Sequence, residues 1–178
     1  MTRQHLVALA LAAGLGACGT AGGEDPVESD TGRMLEQQRT EVREATRTLL
    51  DGAEQTLSGR TRTSAGGFRG CESAFPEQFR SFQYLTQARI DADGTVAGVA
   101  YLQRLRPVLE DAGFTVEDLR EEPNGFTTLV AVKDHLAAAF VHTGGPFVGL
   151  DVSGPCVDVP EDERDRWLRQ EEPTPRIH

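Results

Sequence analysis

Nucleophiles, bases and metal-ligating side chains are few in this chain of 178 residues, and their spacing decides what chemistry they can do. A serine hydrolase of the G-x-S-x-G kind needs its nucleophile on a sharp strand-to-helix turn. Ser153, in Gly149-Leu150-Asp151-Val152-Ser153-Gly154, has the first glycine misplaced, and Ser58, Ser64, Ser73 and Ser81 have no such frame. A triad is defined by geometry rather than chain order, so His135 and His142 are the bases of the folded core that one would use. The same two histidines could meet across a turn, with Asp134 or Asp151 adding a carboxylate. Zinc catalysis needs three protein ligands and structural zinc four, and nothing in the spacing requires that set. Asp91-x-Asp93-Gly94 opens like a calcium loop, but Val96 and Leu102 stand where glycine and a carboxylate are needed. Those aspartates read as turn and capping residues. Gly66-Gly67-Phe68-Arg69-Gly70 lacks the lysine and hydroxyl of a phosphate-binding loop. Arg60, Arg62, Arg69 and Arg80 could make a local basic patch but read as solvated loop arginines, and Glu161 to Glu163 and Glu171-Glu172 as acidic surface. The expectation is no catalytic constellation, no metal and no cofactor.

Cys18 carries chemistry of another kind. Arg3 precedes an apolar run from Leu6 that ends in small residues, the layout of a secretory signal. The run is shorter than the ~20 residues that cross a bilayer as a helix. At its end, Leu15-Gly16-Ala17-Cys18 resembles the lipobox of bacterial lipoproteins. That resemblance implies cleavage before Cys18 and a diacylglycerol on its thiol, and two or three acyl chains anchor stably where one does not. With Cys18 taken by lipid, Cys71 and Cys156 remain as an even pair for a disulfide in an oxidising compartment. It would close a loop of about 86 residues and contribute about 4.5 kcal/mol by chain entropy. Two distant cysteines lack the C-x-x-C spacing of zinc and redox sites.

Composition adds a setting. Of 18 basic residues only Lys133 is lysine, Asn124 is the sole asparagine, and Ile90 and Ile177 are the isoleucines. This usage fits a GC-rich genome such as an actinobacterium's. The net charge is −10, and removing residues 1–17 deletes Arg3 and no acid, leaving −11. A chain so acidic is repelled by nucleic acid and anionic lipid, which excludes nucleic acid as a partner.

The elements follow from patterning. Residues 18–32, rich in Gly and acids, cannot bury enough surface to order and are expected to be a tether. Residues 33–170 make one domain, and 171–178 a frayed tail. Leu35, Val42, Ala45, Leu49, Ala53 and Leu57 form the stripe of a helix over Arg33–Ser58, with Glu36/Arg39, Glu44/Arg47 and Arg47/Asp51 paired outside and Gly59 as its stop. The stretch Gly59 to Gly70 is expected to be a mobile loop. Arg80–Asp91 alternates as a strand with one polar face. Gly98, Leu102, Leu105, Leu109 and Ala112 form a second helical stripe stopped by Gly113, with Pro107 kinking or dividing it. Strands are expected over Phe114–Glu121, Phe126–Asp134 and Pro146–Ser153, while Leu136–His142 is ambiguous between strand and helix. Val159–Gln170 gives a short terminal helix, Pro160 at its start, that docks Trp167 and Leu168.

The fold class is α+β: a two-layer sandwich with an antiparallel sheet of about four or five strands and two helices on one face. With its lipobox, long first helix, β-α-β-β-β order and two cysteines bracketing the sheet, the chain resembles the small α+β lipoproteins of actinobacterial envelopes, the LppA type among them. That resemblance implies location and fold but no activity. The expected function is therefore a membrane-anchored, extracytoplasmic, non-catalytic module that binds an envelope protein or ligand. A carrier of a small apolar ligand, lined by Phe82, Tyr84, Leu102 and Phe126, is the alternative, and a hydrolase the third.

Overall fold

The computed structural model describes residues 29–72, 79–92, 98–123, 125–168 and 172. The signal, lipobox and most of the tether, with Cys18, lie outside them.

Ser29 caps the first helix, α1 (Asp30–Leu57), which starts three residues ahead of the expected Arg33. Its backbone is extended (φ −63°, ψ 156°) and its Oγ accepts the Gly32 N–H at 3.0 Å, an N-cap. The expected stripe faces inward, with Leu50, Gln38 and Thr46 buried beside it. Of the three ion pairs expected on the outer face, Glu36–Arg39 forms at 3.1 Å and the other two do not. Ser58, rather than Gly59, takes the left-handed conformation (φ 49°) that ends α1. The N–H groups of Ser58 and Gly59 turn back onto Gln55 and Glu54, the paired bonds of a Schellman cap. Gly59 is needed for space instead: a Cβ there would overlap the Asp91 carbonyl oxygen.

The stretch expected as a mobile loop is β1 (Arg60–Gly70), paired along its length with β2 (Ser81–Asp91). Its inward positions are Ser64, Gly66 and Phe68, so the large alternating residues that reveal a strand are missing. The close neighbours explain the glycine: a Cβ at Gly66 would overlap the Tyr84 hydroxyl. On β2 the expected alternation holds, with Phe82, Tyr84, Thr86, Ala88 and Ile90 all buried.

The second helix, α2 (Gly98–Asp111), runs unbroken through Pro107. Proline removes the hydrogen bond to the carbonyl of Gln103, but both residues are exposed, so water can serve that carbonyl. Gly113 (φ 85°) ends α2 as expected, the Phe114 N–H reaching the Leu109 carbonyl at 2.9 Å. Then follow β3 (Thr115–Val116), β4 (Arg120–Glu121), β5 (Thr127–Lys133), β6 (Leu136–His142), β7 (Phe147–Ser153) and β8 (Val157–Asp158). A 3-10 turn over Glu161–Glu163 leads into α3 (Arg164–Leu168). Trp167 docks against Phe68, ring centroids 4.7 Å apart, whereas Leu168 remains exposed.

Among the described residues the sheet has eight antiparallel strands rather than four or five, in the order β1-β2-β7-β6-β5-β3, with β4 on β5 and β8 on β2. The additions are β1, β8 and the division of Phe114–Glu121 into β3 and β4. Rows of buried side chains cross it in register: Ala88, Leu150, Phe140, Leu129 and, beside them, Thr86, Val152, Ala138, Ala131. Helices α1 and α2 cover that face. The opposite row, Gln87, Asp151, Ala139 and Val130, is not buried. Cys71 and Cys156 are disulfide-bonded, Cα atoms 6.2 Å apart, tying the β1–β2 connection to the β7–β8 connection. Inside, the Thr46 and Thr86 hydroxyls lie 2.5 Å apart and share a hydrogen bond, with the Val42 carbonyl 2.7 Å from Thr46 and the Val152 carbonyl 3.3 Å from Thr86 as further acceptors. This buried relay locks α1 to the sheet.

Candidate functional site

The densest grouping of charge and buried hydroxyl lies where α1 crosses β2. Arg39 and Arg43, one turn apart on α1, and the Tyr84 hydroxyl on β2 converge on the carboxylate of Glu172. Tyr84 donates to Glu172 Oε2 at 2.6 Å. Arg39 pairs with Oε1, and Arg43 Nη1 stands 3.6 Å from Oε2. The Glu172 side chain is only 7% exposed, and these three groups surround its carboxylate. Tyr84 is enclosed by Phe68, whose ring centroid is 5.1 Å away, and Phe68 in turn packs on Trp167. Burial first, then the hydrogen bond to Glu172 and its charge, push the Tyr84 phenol well above its usual value. It is therefore a fixed donor at neutral pH. Burial opposes the charge of Arg39, but the hydrogen bond to Glu36 and the carboxylates of Glu172 and Glu36 outweigh it and raise its pKa.

An open concavity of about 430 Å³ runs along the surface of α1 beside Arg39 and Arg43, lined by Glu36, Arg39, Thr40, Arg43, Glu44 and Arg47. Two smaller concavities, of about 240 and 230 Å³, flank Glu41. In the first of them His135 Nε2 lies 2.6 Å from Glu41 Oε2. Hydrogen bonds from Gln37 and then His135 hold the Glu41 carboxyl below its ordinary range.

His135 and His142 do not meet, because they stand at opposite ends of β6, roughly 23 Å apart at the usual rise. His142 is buried and staples its own turn: Nδ1 accepts the Gly144 N–H at 3.2 Å, and Nε2 donates to the Gly145 carbonyl at 2.9 Å. Among the described residues no three His, Cys, Asp or Glu side chains are grouped to hold a metal. Asp151 lies on the open sheet face, where burial raises its pKa and the hydrogen bond from Gln87 (3.2 Å) lowers it less. Arg62 is not a free loop arginine: it pairs with Asp91 at 2.6 Å, as Arg89 does at 3.1 Å. Phe82, Tyr84 and Leu102 are core residues, but Phe126 is 37% exposed and stands outside the core, so the four do not enclose one pocket.

Sequence reasoning missed the Glu172 site. The sequence places Glu172 on an acidic surface and a frayed tail, whereas it is bound and nearly enclosed. The available signal was a pair, Arg39 and Arg43, at i,i+4 with no acidic partner for Arg43 on its own helix face.

No protein-family model matches this chain, and no curated protein matches it. Among solved structures, it is similar to the crystal structure of the candidate lipoprotein LppA from Mycobacterium tuberculosis. The sequences are 10% identical, the TM-score is 0.45, and the match covers 79% of this chain and 83% of that chain.

Proposed function

We propose that the chain is a lipid-anchored envelope protein whose extracytoplasmic domain binds a partner and performs no bond chemistry. The binding half rests on the Arg39–Arg43–Tyr84 group. Two permanent cations and a phenol that stays protonated are recognition groups: they hold an anion and offer neither nucleophile nor base. The histidines support the same reading, since each is engaged locally at its own end of β6.

The envelope half rests on Leu15-Gly16-Ala17-Cys18 after the apolar run, and is supported by the Cys71–Cys156 bond, which persists in oxidising compartments. No helix among the described residues is long and apolar enough to cross a membrane. Intact mass of the protein from native membranes tests this. A chain beginning at Cys18 with diacylglycerol mass, taking up two alkyl groups only after reduction, is expected. An unlipidated chain would overturn the anchor.

A further inference from the structure

The site formed by Arg39, Arg43 and Tyr84 is already filled, and by a carboxylate of the chain itself. We infer that it is a recognition site for an extended acidic peptide of a partner protein, and that Glu172 is its built-in competitor. The inference rests on the binding-module reading above and names the ligand chemistry.

The donors are fixed before any ligand arrives. Arg39 and Arg43 belong to a capped 28-residue helix, and the Tyr84 hydroxyl sits in the central part of β2, in space that only glycine at position 66 leaves open. The acceptor, by contrast, comes from a residue beyond the end of α3. The groove is also far larger than one carboxylate. It continues to Arg47, one turn past Arg43 on the same face, and Arg47 makes no ion pair among the described residues. Glu172 therefore uses two of three aligned arginines.

Their spacing selects the shape of the ligand. Arginines at i, i+4 and i+8 rise about 6 Å per step along a helix. Side chains on one face of an extended strand repeat every two residues, about 6.8 Å. A peptide with an acid at every second position thus places successive carboxylates opposite Arg39, Arg43 and Arg47. Glu36 is neutralised by Arg39, while Glu44 on the rim repels a carboxylate that falls out of step. The net charge of −10 keeps general anions at a distance, so affinity depends on this local match.

The test is fluorescence anisotropy of fluorescein-labelled Glu-Ser-Glu-Ser-Glu with the full chain in detergent. Glu172→Gln is expected to tighten binding about tenfold and Arg47→Gln to weaken it about tenfold, each the worth of one charge-assisted contact. Glu-Glu-Glu-Ser-Ser should bind more weakly, and the glutamine analogue not at all. Equal affinity in wild type and Glu172→Gln, no loss in Arg47→Gln, or indifference to the spacing would each overturn the proposal. Should Glu172→Gln fail to fold by circular dichroism, Glu172→Asp replaces it, and Arg47→Gln, an exposed change, still decides. The titration does not depend on the lipid, so its failure is distinct from failure of the anchor, which the mass measurement reads.

Discussion

The side-chain amide of Gln38 donates to the Pro155 carbonyl at 2.7 Å while its oxygen accepts the backbone N–H of Tyr84. One glutamine on α1 thereby bridges the gap between β7 and β8. There β2 pairs with Ser153 at Leu85 and with Val157 at Phe82, and Tyr84 between them has no strand residue on that side. Gly154 gives it room, because a Cβ there would overlap the Gln38 side chain. Replacing Gln38 by Leu leaves a buried N–H and a carbonyl without partners and should cost about 2–3 kcal/mol. Urea unfolding measures this, and a loss below about 0.5 kcal/mol would mean that the gap is hydrated instead.

Removing the disulfide should have a larger effect. Cys71 and Cys156 are 85 residues apart, and freeing them restores about 4–5 kcal/mol of chain entropy to the unfolded state. The double Cys71→Ser, Cys156→Ser variant is expected to unfold at a much lower denaturant concentration, and reductant should leave its midpoint unmoved. A wild-type midpoint indifferent to reductant would count against the bridge as a stabilising link.

Alkaline pH should loosen the Tyr84 site. A phenol whose pKa is raised in the folded state stabilises fully below its unfolded value, about 10, and that stability is lost as pH rises through the folded value. Stability should therefore fall from about pH 10 upward in wild type and less steeply in Tyr84→Phe. Parallel curves for the two proteins would show that Tyr84 does not govern this range.

Asp151 should act in the opposite part of the scale. Burial raises its pKa, so the folded protein binds that proton more readily than the unfolded chain. The charged form is the unfavourable one, and its penalty is complete once pH exceeds the raised value. Asp151→Asn should raise the melting temperature at pH 7 and show no gain at a pH below the carboxylate range. A lower melting temperature at pH 7 would mean that the bond from Gln87 outweighs burial.

Those parts of the fold whose side chains repeat with a regular period could be read from the chain directly. The α1 stripe from Leu35 to Leu57, the alternation from Phe82 to Ile90 and the stop at Gly113 each leave a local trace that packing then obeys. β1 leaves none, because the sheet needs its glycine for the space it leaves rather than for any side chain it buries. Leu136–His142 is settled as a strand by its neighbours: every residue of β6 pairs with β5, and its small Ala138 lies opposite the larger Val152 of β7. The Glu172 site was hidden for a different reason. It joins residues from α1, β2 and the end of the chain, and no spacing in the sequence relates position 39 or 84 to 172.

Strand order also sets how the sheet can be assembled. β1 with β2, and β3 to β7 among themselves, are zipped by contacts between chain neighbours, so each group can close quickly on its own. The ladder between β2 and β7 is different, since it joins residues some 60 positions apart, such as Ala88 and Leu150. The long-range pairings of the sheet are therefore β2 with β7 and, next to it, β2 with β8. Cys71 and Cys156 sit at the end of these ladders, so their bond fastens together strands that no short connection joins.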